Sequence, residues 1–127
     1  MYNYKITIEY DGTNFVGWQR QDNGLSIQQL IEESIQKLLD KKITISGAGR
    51  TDSGVHARGQ VANFKLDNNI DTFTIRDGLN HYLRPHPVAI LSTEKIDKNF
   101  NARFSAKLRW YEYKIINRRA PLTLENN

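Results

Sequence analysis

Two amphipathic helical stripes set among period-two and short apolar runs, in the order β, α, β, β, α, β plus one more strand, predict an α+β fold. That order suits a ferredoxin-like (RRM-like) arrangement, an antiparallel sheet with two helices on one face. At 127 residues, with 39% hydrophobic and 25% charged side chains, the chain has room for one core and one domain.

Tyr4, Ile6, Ile8 and Tyr10 alternate with Lys5, Thr7 and Glu9, the pattern of a strand with one buried face. Asp11, Gly12, Thr13 and Asn14 form a turn, and residues 15–24 are too polar and glycine-broken for a regular element, so they read as a functional loop. Ser26 followed by Gln29 fits a capping box, in which each side chain satisfies a free amide at a helix start. Ile27, Leu30, Ile31, Ile35, Leu38 and Leu39 then share one helical face, with Gln28, Glu32, Glu33 and Lys37 assigned elsewhere.

Short strands are expected at 43–45 and 61–66, separated by the glycine-rich stretch 47–59, which is too long for a tight hairpin. A second helix is expected over about 72–83 on Phe73, Ile75, Leu79, Tyr82 and Leu83. Gly78 within it costs about 1 kcal/mol relative to Ala. Pro85 and Pro87 end that helix and lead into 88–91, an apolar run with the character of a central strand. A last strand is expected at about 107–116, and 121–127 looks like a linker or a truncated end.

Eighteen Lys and Arg against fourteen Asp and Glu give a formal charge of +4, which favours acidic partners without identifying one. Toward the carboxyl end Arg103, Lys107, Arg109, Lys114, Arg118 and Arg119 alternate with Phe104, Trp110, Tyr111 and Tyr113. That mixture can hold phosphates and stack bases, although spacing alone favours a half-buried strand with a solvated basic face. The absence of cysteine excludes disulfides, a thiol nucleophile and thiolate zinc sites, and agrees with a reducing compartment. His81 and His86 do not share a helical face as the histidines of a zinc helix would, so no metal is expected. With no apolar targeting core and no unbroken apolar run, the chain is expected to be cytoplasmic and to have no membrane partner.

The run Gly47-Ala48-Gly49-Arg50-Thr51-Asp52-Ser53-Gly54-Val55-His56 puts a carboxylate in a loop whose three glycines, Gly47, Gly49 and Gly54, permit close backbone approach and positive φ angles. Such a loop can bring Asp52 close to a bulky substrate; by residue type alone, an Asp that bonds its own turn is the more common outcome. No Gly-Lys-Ser or Gly-Lys-Thr follows and no dinucleotide fingerprint is present, so neither ATP nor NAD is implied.

Residues 48–64, AGRTDSGVHARGQVANF, closely resemble the aspartate motif of the TruA tRNA pseudouridine synthases. The similarity extends to YDGTNFVGWQRQ at 10–21, to Asn80 and Leu83 in GLNHYLRP at 78–85, and to FNARFSA at 100–106, with 107–117 in the expected place. It covers the family's first half, so residues 1–120 would be an amino-terminal catalytic half-domain. The family forms its cleft between two related halves, and an isolated first half is expected to be impaired or inactive.

What the resemblance implies is an isomerase converting uridine to pseudouridine in the tRNA anticodon stem-loop, acting as a homodimer. Asp52 takes the place of the essential carboxylate. Arg50 accompanies it as a group that helps hold the target base outside the stack, and Tyr111 matches the tyrosine lying against that base, a candidate for removing or relaying the C5 proton. A free phenol titrates near about pH 10, so Tyr111 would need activation. A packing role is its alternative, since Arg109, Tyr111, Tyr113 and Ile115 would share one strand face. Arg50 and Arg58 are the local guanidiniums that could offset substrate phosphates beside Asp52. The isomerisation gains and loses no atoms, so no cofactor is expected.

By the same resemblance Phe15, Trp18, Gln19 and Arg20 lie near substrate, while for Phe15 and Trp18 anchoring of the loop to the core is the stronger reading. His56 is expected to bond local backbone. Three positions depart from the family pattern: Ser53 stands where alanine is more usual, Asn101 where histidine is frequent, and Arg84 between Leu83 and Pro85. A rival of another class, a noncatalytic RNA-binding module with the same strand order, is poorly represented. Such modules carry closely spaced aromatics on a central strand, whereas 60–66 offers only Phe64.

Overall fold

Alternation makes the first element a strand: in β1 (Tyr2–Tyr10), Tyr4, Ile6, Ile8 and Tyr10 are buried on one face while Lys5, Thr7 and Glu9 stand on the other. The structure is a computed structural model that describes residues 1–49 and 52–104. β1 pairs antiparallel with β3 (Ala57–Leu66) on one side and β4 (Val88–Ile96) on the other, and a two-residue β2 (Ser46–Gly47) extends the sheet beyond β3, giving the order β2-β3-β1-β4. The helices α1 (Ile27–Leu39) and α2 (Thr72–Leu83) close one core with the face that carries Tyr4, Ile6 and Ile8. This is the expected α+β ferredoxin-like sheet with both helices on one side.

Ser26 stands in extended conformation before α1, and its Oγ accepts from the Gln29 amide at 3.1 Å. Only half of the expected capping box forms, because the Gln29 side chain turns down the helix and donates to Glu33 Oε2 at 3.1 Å. Replacing Ser26 by Ala orphans an amide beneath a fully buried cap and should lower the unfolding free energy by about 1 kcal/mol. Urea titration checks this; an unchanged midpoint would mean that the first turn needs no side-chain cap. Ile27, Ile31 and Ile35 are wholly buried, each stabilising the fold by about 1.5–3 kcal/mol. Glu32 departs from its expected place away from the core: it is 8% exposed, for a reason found in the preceding loop.

α2 starts after Asp71, whose Oδ2 accepts from the Thr74 amide at 3.1 Å. Ile75, Leu79 and Leu83 fill the core in one helical row, but Phe73 and Tyr82 fall off that row and are 63% and 37% exposed. Phe73 lies under the Arg76 guanidinium, 5.0 Å from its ring centroid, and Tyr82 sits edge-on to His81. Gly78, the weak point by propensity, is where α1 comes close: a Cβ there would be 2.5 Å from Leu38 Cδ1. Its bare backbone makes room for the Leu38 side chain between the helices.

Among the described residues the apolar run 88–91 belongs to an edge strand and not to a central one. Val88 and Ile90 face the core while Ala89 and Leu91 are exposed, so the strand alternates, but its outward residues are also apolar and the sequence pattern does not show it. Asn80 caps this edge, accepting from the Ile90 amide at 2.7 Å and donating to the Ile90 carbonyl at 3.0 Å, the two bonds a further strand would make. β2 replaces the strand expected at 43–45, and β3 starts at Ala57 instead of 61 because Glu9 and Tyr10 extend the ladder to Arg58 and Ala57. The strand expected at 107–116 and the end at 121–127 lie outside the described residues. Among the described residues no helix is long and apolar enough to cross a membrane.

Candidate functional site

Asp52 lies between β2 and β3, exposed, and among the described residues its carboxylate takes part in no hydrogen bond or ion pair. Its main chain does the turning: the Asp52 carbonyl accepts from the Val55 amide at 3.2 Å. Gly54 sits at φ 81°, a left-handed conformation that side chains disfavour. Gly47 is required for a different reason, since a Cβ there would run into the Trp18 indole. Gly49 shows neither need, as a Cβ would stand 3.7 Å from Gln60 Oε1, an ordinary contact.

The stretch 15–20 acts as a bed for this loop. Phe15 and Trp18 are buried, as anchors would be. The Phe15 carbonyl accepts from the Gly54 amide and from Ser53 Oγ, both at 3.2 Å, so the serine that replaces the more usual alanine adds a bond. Arg20 donates through Nε and Nη2 to Glu32 Oε1 at 3.2 and 2.8 Å, which accounts for the burial of Glu32. Glu32 Oε2 accepts from the Ile45 amide at 2.9 Å and from Gln28 Nε2 at 3.2 Å, and Gln28 Nε2 also reaches the Ile45 carbonyl at 3.4 Å. On the far side, Ala48 donates to the Val61 carbonyl at 2.7 Å and Gln60 Nε2 to the Gly49 carbonyl at 2.6 Å. Sequence reasoning missed Glu32; the only signal was its position one helical turn after Gln28, beside the apolar stripe.

His56 bonds backbone, although not local backbone: Nδ1 accepts from the Gly12 amide at 2.9 Å. The same nitrogen is 3.1 Å from Asp11 Oδ1, and it cannot accept from Gly12 and donate to Asp11 at once. The Asp11 carboxyl is held below its usual range first by the Thr13 hydroxyl at 2.6 Å, then by the Thr13 amide at 3.0 Å, and least by His56. Because the folded value is depressed, the stability it contributes is present above the unfolded value of 3.8 and is lost as pH falls through the folded one. Thr13→Val should therefore move the Asp11 titration upward in an NMR pH series. An unmoved Asp11 would dismiss the hydroxyl as the cause.

Two open cavities flank these loops. One, of about 550 Å³, runs past Trp18, Gln19, Ser46 and Gly49 to Arg103; the other, of about 580 Å³, is lined by Asp11, His56, Arg58 and His86. Arg58 is thus exposed at the second cavity, and Asp52 lines neither. Arg50 and Tyr111 lie outside the described residues. Among the described residues no group of three His, Cys, Asp or Glu comes together in a way that could hold a metal ion.

A ferredoxin-like sheet that holds out a carboxylate on a braced loop fits the family to which the comparison leads: residues 6–105 match the tRNA pseudouridine synthase family, and the chain belongs to it. Within that family the similarity is to tRNA pseudouridine synthase A. The chain is 56% identical over 125 residues to that protein of Ehrlichia chaffeensis and 54% identical over 125 residues to that of Parvibaculum lavamentivorans. In each case 98% of the chain and 51% of the relative are covered, so the chain spans about half the length of the curated relatives it matches. The TruA resemblance carried by the motifs therefore holds along nearly the whole chain.

Proposed function

We propose that the full-length protein isomerises uridine to pseudouridine in the tRNA anticodon stem-loop, with Asp52 as its catalytic carboxylate. The observation that carries this reading is the exposed Asp52 side chain, without a partner among the described residues, on a loop gripped from both flanks. A loop braced in that way can present a carboxylate to a bulky substrate without reorganising.

In the reaction the bond from uracil N1 to ribose C1′ breaks, the base turns, C5 joins C1′, and the C5 proton departs while N1 takes one up. Asp52 either attacks the substrate or removes a ribose proton. Extruding the base from its stack costs a few kcal/mol, which aromatic and cationic groups offset. Arg50 and Tyr111 are assigned that task, with Tyr111 also relaying the C5 proton, and Arg58 meets nearby phosphates. The isomerisation gains and loses no atoms overall, so the reaction calls on no cofactor. Residues 1–120 form the catalytic half-domain, and the full-length protein works in the cytoplasm as a homodimer.

Against the noncatalytic RNA-binding reading stands Phe64, which is 2% exposed and stacked on Tyr4 at 5.9 Å, on the helix side of the sheet. The opposite face of β1 and β3 presents Asn3, Lys5, Thr7, Val61, Asn63 and Lys65, with no aromatic platform for bases. Asn3 and Asn63 are moreover occupied, donating to the Phe100 carbonyl at 2.9 and 3.4 Å. Mapping pseudouridine in tRNA from cells with and without the full-length protein should reveal anticodon stem-loop sites that depend on it. If tRNA binds and no uridine is converted, the RNA-binding reading prevails.

A further inference from the structure

We infer that Glu32 is a positioning residue for the Asp52 loop, acting through the Ile45 main chain and through Arg20; the inference rests on the isomerisation proposed above. Glu32 lies on α1, with a side chain only 9% exposed, so it is placed to act on substrate through other groups and not directly. Its two oxygens collect donors from three different parts of the chain: Arg20 Nε and Nη2 on Oε1, Gln28 Nε2 and the Ile45 amide on Oε2. A carboxylate so buried is tolerable because a guanidinium and neutral donors meet its charge.

Ile45 is the residue immediately before β2, and β2 consists of Ser46 and Gly47 alone. On its inner side this short strand is held by β3 at Asn63 and Ala62. Among the described residues it is the last strand on that side of the sheet, and none of them pairs with its outer side. Glu32 and Gln28 stand in for one, bracketing the Ile45 amide and carbonyl. The second grip runs through Arg20, which ties the 15–20 bed to α1 while Trp18 backs Gly47 and the Phe15 carbonyl holds Ser53 and Gly54. Both supports on the outer flank of the segment that enters the Asp52 loop therefore converge on one carboxylate, while β3, Val61 and Gln60 hold its inner flank. Losing it frees the loop in position without removing any group assigned to meet the RNA, and small displacements of a reacting group are expensive in rate.

The test uses the full-length protein and tRNA. Glu32→Ala should lower kcat about tenfold or more while KM for tRNA stays within about twofold. Glu32→Gln keeps an oxygen for the Ile45 amide and should recover most of that loss. Hydrogen exchange of the amides at 45–49 should quicken in Glu32→Ala and return toward the native rate in Glu32→Gln. Wild-type kcat in Glu32→Ala, or a raised KM with kcat intact, overturns the inference. Should Glu32→Ala not fold, Glu32→Asp carries the test: the shorter side chain cannot reach Arg20 and the Ile45 amide together, so kcat should fall with KM steady, and an unaffected kcat overturns the inference. If the unaltered protein converts no uridine, the proposed function fails, and exchange alone then decides on Glu32, unchanged rates at 45–49 counting against it.

Discussion

Asp52→Asn in the full-length protein should reduce pseudouridine formation by about a thousandfold or more, the scale expected when a group that moves protons or attacks substrate loses that capacity. The amide keeps the size and shape of the carboxylate and removes only its charge and basicity. Folding should be untouched, within about 0.5 kcal/mol, because the side chain is exposed and has no partner among the described residues. Binding of tRNA should hold or tighten slightly, since one negative charge facing a polyanion disappears. Single-turnover conversion and a binding titration, read side by side, separate these effects. Conversion near the native rate would remove Asp52 from the chemistry whatever the family resemblance says.

Gly12→Ala is expected to destabilise the chain by about 3 kcal/mol, at the upper end of what overpacking usually does. A Cβ at Gly12 would collide with the Val55 carbonyl oxygen and lie 2.7 Å from the Val55 carbonyl carbon. The obstacle is backbone, so no rotamer change relieves it. Relief needs the 11–14 turn to part from the 52–56 turn, which breaks the bond from the Gly12 amide to His56 Nδ1. That leaves a buried amide unsatisfied and unsettles the loop that carries Asp52. Thermal and urea unfolding of Gly12→Ala would register the loss. An unaltered midpoint would mean that the two turns move apart freely and do not brace one another.

Local patterns were the legible part of the fold. α2 spans 72–83 as expected, ending before the prolines, and the buried face of α1 matches Ile27, Leu30, Ile31 and Ile35. Each depends on neighbours within a turn of helix. The errors had a different origin. Hydrophobicity marks Phe73 and Tyr82 as core while helical phase turns them outward, and 88–91 reads as central while its partners among the described residues place it at an edge.

For the candidate site, the sequence alone determined the family, the loop that bears Asp52, and the residue types able to do the chemistry. Tertiary structure alone decided that 15–20 is the bed of that loop, that His56 serves Gly12, and that Glu32 is buried as the meeting point of Arg20, Gln28 and Ile45. Periodicity and capping report energies between residues a few positions apart, so the sequence displays them. The partners of Glu32 and His56 lie up to 44 positions away, and their bonds exist only once the sheet has fixed where each loop runs.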